Sequence, residues 1–193
     1  MFLFFRKFHK ISPLLGFFIL IIGLLIYQIV SNNLLFIVTQ LGLSSFLRIE
    51  TLENLSGRGI AWEFAWQQIQ ENFFIGNGFS YTEYIFTLNQ DYLSALGHQG
   101  HAHNAYLTIW LDLGLVGLIF FLVALFFTFF NASIYNRLAL PVLYVILFSN
   151  YFESWITASL NPFTIQLLFF LTFAFIQKES NNLSSESVVI EPN

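Results

Sequence analysis

Apolar residues fall into four runs, 13–30, 105–130, 138–152 and 163–176, each too continuous to be the single apolar face of a surface helix. About 20 apolar residues cross a hydrocarbon core of ~30 Å, so the first two runs suffice and the last two must borrow flanking residues. The pattern predicts an all-α membrane protein of about four transmembrane helices, the third and fourth broken or tilted near residues 154–162. A long polar loop, about 31–104, separates the first two. Within it, 34–47 is apolar but interrupted by Gln40 and Gly42 and is expected at the membrane interface. Farther on, Trp62, Trp66, Ile69 and Phe73 recur at helical spacing, with Glu63, Gln67, Gln68 and Gln70 mostly on other faces. This predicts an amphipathic helix over 59–72 with Ser56 as its candidate cap. Tryptophan suits the headgroup zone, so the helix is expected along the membrane surface, although packing on the bundle fits the same pattern. Ile75–Gly76–Asn77–Gly78–Phe79 predicts a turn, and 79–96 does not resolve into helix or strand.

Composition points to lipid as the solvent: 56% of the residues are hydrophobic and 9% charged, against roughly 25% charged in soluble domains. The net charge of −4 comes without a basic stripe, which gives no footing for nucleic acid. With no cysteine, disulfide and thiolate chemistry are excluded. The first run follows Arg6, Lys7 and Lys10 as a signal peptide would, but Ser31, Asn32, Asn33 and Leu34 after it lack a small-x-small cleavage pattern. A retained helix is expected.

Lysine and arginine accumulate on the cytoplasmic side of membranes. Four crossings put Arg6, Lys7, Lys10, Arg137 and Lys178 on one side. The division expected is a cytoplasmic flank (1–12), a membrane domain (13–178) whose loop 31–104 faces outward, and a disordered cytoplasmic tail (179–193) rich in Ser, Asn and Glu. Arg48 and Arg58 are the exceptions, both in the outward loop. Arg48, beside Glu50 and Glu53, reads as an ordinary loop charge. Arg58, between Gly57 and Gly59, is the better anion site, because guanidinium offers a fixed fork of donors suited to phosphate.

Three of the four histidines, His98, His101 and His103, stand just before the second apolar run. An imidazole there can act as base, acid or ligand near neutral pH. The spacing also admits a metal site with Glu83 or Asp91, but it matches no compact zinc pattern; for His98 and His101, solvated loop positions are the plainer expectation. Asp112 is expected to face the bundle interior or water, and Glu153, near the outer end of the third run, is a candidate functional carboxylate because a lone acid at the membrane is costly. Gly114 and Gly117, three apart, are expected to let helices pack closely.

His103–Asn104, nine residues, Gly114, two residues, Gly117 resembles the H-N-x9-G-x-x-G pattern of the O-antigen ligase and Wzy-type polysaccharide polymerase family. Ser56–Gly57–Arg58, the helix containing Trp62, Gly76–Asn77–Gly78 and Tyr151–Phe152–Glu153–Ser154 resemble its other elements in order, so the likeness runs over about 56–176. It implies an inverting membrane glycosyltransferase of surface polysaccharide (O-antigen, capsule or exopolysaccharide) assembly. Such an enzyme moves a glycan from an undecaprenyl-diphosphate carrier to a hydroxyl of an acceptor glycan or lipid A core, without cofactor or metal, at the bacterial cytoplasmic membrane. His103 would be the general base and Arg58 would stabilise the diphosphate. Asn104 would orient the ring or bind sugar, and Glu153 would pair with Arg58 or bind sugar. Family members have about ten to twelve spans, so the chain resembles their C-terminal part. A further arginine from an earlier loop has no counterpart unless Arg48 substitutes, and a missing N-terminal half or other assembly proteins are the expected partners. A non-catalytic fragment or partner subunit is the alternative.

Overall fold

The computed structural model describes residues 13–40, 57–98, 100–157, 161–173 and 176. Among these the secondary structure is helical and no strand occurs. In chain order the helices are α1 (Pro13–Asn32), α2 (Leu34–Gln40), α3 (Gly57–Glu71), α4 (Tyr81–Leu88), α5 (Gln90–Ala95), α6 (Ala105–Tyr135), α7 (Ala139–Phe152) and α8 (Pro162–Phe173). The expectations for Arg48, Ser56, the interfacial segment beyond Gln40, Lys178 and the 179–193 tail lie outside the described residues.

The apolar helices α1, α6, α7 and α8 fall on the four apolar runs. Among the described helices α6 is long and apolar enough to cross a membrane, and the others are shorter. The 14 residues of α7 rise about 21 Å at 1.5 Å per residue. One core joins Leu20 of α1, Phe129 and Ala132 of α6, and Leu143, Tyr144 and Leu147 of α7, while Phe170 of α8 stacks on Phe129 at 6.4 Å. The outer faces are apolar as well: Ile22, Leu25 and Ile29 on α1, Phe120, Phe127 and Ile134 on α6, and Phe169 and Phe173 on α8 are exposed. A helix apolar all round is suited to a lipid surround rather than to water.

A second core holds the polar half of the chain together. It joins Ala61, Ala65 and Ile69 of α3, Ile85 and Phe86 of α4, Leu93 of α5, Ala102, and Leu111 of α6. The predicted helix over 59–72 is present as α3, but its inward stripe is turned from the expected one. Ala61, Ala65 and Ile69, at i, i+4 and i+8, are fully buried, and Trp66 remains 40% exposed. Alanine lets the α3 backbone lie close to α6, which four large side chains in a row would prevent. Trp66 packs at the edge instead, against Trp110 (5.4 Å) and Phe73 (6.3 Å). The unresolved stretch 79–96 forms two short helices, α4 and α5.

α6 belongs to both cores and is not one continuous helix. At Gly114 the backbone has φ 72° and ψ −179°, a conformation open essentially to glycine alone. The predicted Gly76–Asn77–Gly78 turn fills the break. Asn77 N–H donates to the Leu111 carbonyl (3.1 Å) and Gly78 N–H to that of Asp112 (2.8 Å). Beyond the break, Leu115 and Val116 N–H donate to the Phe73 and Phe74 carbonyls (2.9 and 3.2 Å). Two carbonyls and two N–H groups on either side of the interruption are thus satisfied by one short loop. Gly76 is there for the same reason as Gly114, since a Cβ on it would run into the backbone of Asp112 and Gly114. The expectation that Gly114 and Gly117 pack one helix on another is corrected. Gly114 admits a loop backbone, and a side chain at Gly117 would meet Leu113 of its own helix.

Asp112, just before the break, is buried and accepts hydrogen bonds from Ser80 N–H (3.1 Å), Thr82 N–H (2.7 Å) and the Thr82 hydroxyl (2.6 Å). Ser80, preceding α4, makes no side-chain cap and sits at φ 66°. A carboxylate from another helix therefore caps α4, where anionic groups also suit the helix dipole.

Candidate functional site

Three helix ends meet on one side of the bundle. Arg58 lies in the first turn of α3, His103 stands just before the residue that caps α6, and Glu153 directly follows α7, its N–H donating to the Ser149 carbonyl at 3.0 Å. The Glu153 carboxylate bridges the other two. Arg58 Nη2 donates to its Oε1 at 3.1 Å, and His103 Nδ1 faces its Oε2 at 3.2 Å. A carboxylate can only accept, so in the neutral ring this contact places the proton on Nδ1 and the lone pair on Nε2. The side chains are 33% (Arg58), 37% (His103) and 52% (Glu153) exposed, which makes the cluster reachable and its ion pair a minor source of stability.

His103 is held from both sides. Its own backbone is left-handed at φ 46°, uncommon for a residue with a side chain. On the N-terminal side, Trp62 Nε1 donates to the Ala102 carbonyl at 2.8 Å. On the C-terminal side, Asn104 caps α6, its Oδ1 accepting from Tyr106 and Leu107 N–H at 3.0 and 3.1 Å. Asn104 is buried in doing so, which gives its side-chain oxygen a structural use. Trp62 also meets the Tyr151 ring edge-on at 5.2 Å, and the Tyr151 hydroxyl donates to Gln28 of α1 at 2.9 Å. The Tyr106 hydroxyl donates to the Leu147 carbonyl of α7 at 2.7 Å. These aromatic residues tie α1, α3, α6 and α7 together beneath the three charged groups.

Of the residues singled out in the sequence, Arg58, His103 and Glu153 converge, with Trp62 and Asn104 supporting them; Gly114 and Gly117 lie farther along α6. His98 is buried rather than solvated, with its ring 6.2 Å from that of Phe86 and 6.4 Å from that of His103, whereas His101 is exposed. Among the described residues no three His, Asp or Glu side chains are grouped as metal ligands. Tyr106, Ala61 and Ala65 escaped the sequence reading. The two alanines carried a usable signal, their i, i+4 spacing on α3; Tyr106 carried none, because its hydroxyl partner is remote in the chain.

An all-helical membrane protein presenting an arginine, a carboxylate and a histidine at the ends of its helices is the class this fold and site define. A family model described as O-antigen ligase matches residues 1–122, and the chain belongs to that family. Membership makes it a membrane enzyme of glycan assembly whose substrates are polysaccharide and lipid-linked in kind. The match begins earlier and ends sooner than the expected 56–176. It includes Arg58, His103 and the α6 break, and Glu153 lies beyond it. No curated protein and no solved structure matches the chain.

Proposed function

We propose that the chain transfers a glycan from an undecaprenyl-diphosphate carrier to an acceptor sugar hydroxyl, as polymerase or ligase of surface polysaccharide, with inversion at the anomeric carbon. The observation that carries this reading is the single carboxylate of Glu153 lying between Arg58 and His103. His103 Nε2 accepts the proton of the acceptor hydroxyl as its oxygen attacks the anomeric carbon, and the carbon–oxygen bond to the diphosphate breaks on the opposite face. A base positioned this way contributes roughly 10²–10⁴-fold. Arg58 stabilises the negative charge gathering on the departing diphosphate. Glu153 is a positioning residue, holding the Nδ1–H tautomer of His103 and orienting the guanidinium until phosphate oxygens compete for it. Asn104 acts through the backbone that presents His103.

The topology proposed with it is multi-pass in the bacterial cytoplasmic membrane, with the 1–12 flank and the 179–193 tail inside, the membrane domain spanning 13–178, and the loop 31–104 facing the periplasm or cell exterior. The side preference of Arg6, Lys7, Lys10, Arg137 and Lys178 supports that orientation. A lipid-linked donor also accords with chemistry placed where the apolar helices end. Partner chains carrying further spans belong to the same proposal.

The test is restoration of surface polysaccharide in a strain lacking the gene, with membrane levels of each variant checked by immunoblot. Wild type should restore it, whereas His103→Ala and Arg58→Ala, present at equal levels, should not. Full restoration by both variants would overturn the catalytic assignment and favour a non-catalytic partner of the glycan machinery.

A further inference from the structure

The loop that fills the α6 break leaves its own large apolar side chains unburied. Phe74 is 63%, Ile75 83% and Phe79 89% exposed, in a segment whose backbone is pinned to α6 by four hydrogen bonds. A turn in water would carry polar residues at such positions. Beyond the break, residues 115–135 rise about 31 Å, close to the ~30 Å of a hydrocarbon core. The break thus marks the level at which the spanning part of α6 begins. The N–H groups of Leu115 and Val116, which open that segment, are satisfied by the Phe73 and Phe74 carbonyls rather than by water, as entry into hydrocarbon requires. Exposed apolar side chains occur in the loop and again at the start of the span, at Val116, Ile119 and Phe120.

We propose that the turn from Phe74 to Phe79 is a membrane-seated wedge, its side chains among the acyl chains of the outer leaflet beside the start of the α6 span. The occupant is bilayer lipid, because the patch continues a surface that already faces lipid along α6 and its exposed side chains at Phe74, Ile75 and Phe79 carry no charge. The wedge would hold the unit formed by α3, α4 and α5 against the bilayer. Arg58 and His103 would then be held at a set height relative to the headgroups, where the diphosphate of a lipid-anchored donor lies. This inference rests on the membrane orientation proposed above. It moves the principal contact of the loop with the membrane from α3, where the tryptophans suggested it, to the turn after it.

The chain has no cysteine, so single-cysteine variants can each carry one environment-sensitive fluorophore without altering a background thiol. Ile75→Cys, Phe120→Cys and Gln90→Cys are labelled in the full chain, reconstituted in nanodiscs of phosphatidylethanolamine and phosphatidylglycerol, and their helicity is checked by circular dichroism. Quenching by doxyl-labelled lipid and by aqueous iodide is then read. The expected result is loss of emission to the lipid quencher at Ile75 close to that at Phe120 and several-fold greater than at Gln90, with the order reversed for iodide. Iodide quenching at Ile75 with lipid quenching retained at Phe120 would overturn the wedge and leave the membrane reading standing. Protection of Ile75 from both quenchers would also overturn it, in favour of a protein contact. Absence of lipid quenching at Phe120 as well would overturn both readings.

Discussion

Replacing Glu153 by Gln separates what its carboxylate does for stability from what it does for the reaction. The ion pair with Arg58 is 3.1 Å long, but the two side chains are 33% and 52% exposed, so its removal should cost at most about 1 kcal/mol of folding stability. The effect on turnover should be far larger. The glutamine amide can donate a hydrogen to His103 Nδ1, which favours the tautomer with its proton on Nε2 and removes the lone pair that would take the acceptor proton. Loss of general-base assistance corresponds to roughly 10²–10⁴-fold in kcat, or about 3–5 kcal/mol on the barrier. Arg58, released from its carboxylate, should bind the donor diphosphate no worse, so the donor KM should stay level or fall. Glu153→Asp, which keeps an acceptor-only group, should recover part of the rate. The assay is transfer from a purified undecaprenyl-diphosphate glycan to acceptor in detergent or nanodiscs, with thermal unfolding measured on the same preparations. An unchanged kcat for Glu153→Gln would refute the positioning role. A fall in kcat matched by global destabilisation, or an equal fall in Glu153→Asp and Glu153→Gln, would refute the tautomer argument.

Two further substitutions address the junction that carries the site. Gly114→Ala places a Cβ against the Phe74 carbonyl at a backbone conformation of φ 72°. Strain there is about 1–3 kcal/mol and crowding adds about 1–3 kcal/mol, so amides of α3 and α4 should lose protection from hydrogen exchange while those of α7 keep theirs. Asp112→Ala removes three hydrogen bonds from a buried carboxylate, at about 1–3 kcal/mol for each buried donor left without a partner. Exchange should quicken across α4, and Asp112→Asn, which retains an acceptor, should show a smaller effect.

The positions of the apolar helices were legible because a membrane span must be apolar over its whole length, a requirement written in consecutive residues. Arg58 and His103 stood out for a similar reason: each is chemically unusual where it occurs, an arginine between glycines and a histidine before an apolar run. The α3 helix was visible in its period, but the residues that bring it against α6 lay outside the tryptophan stripe, Ile69 apart. Close backbone approach selects alanine, so Ala61 and Ala65 went inside and Trp66 to the edge.

By itself, then, the sequence determined a lipid-adapted helical chain, the residues able to do proton and phosphate chemistry, and the turn at Gly76–Asn77–Gly78. Each follows from local properties: hydropathy, side-chain chemistry, and the conformational freedom of glycine. Only the tertiary structure decided that Glu153 joins Arg58 and His103, since the three are 95 and 50 positions apart and no periodicity spans such distances. It alone decided that Gly114 breaks α6 and that Asp112 caps α4 from another helix. Those are contacts between backbones and side chains remote in the chain, and what selects them is the need to satisfy buried polar groups in three dimensions.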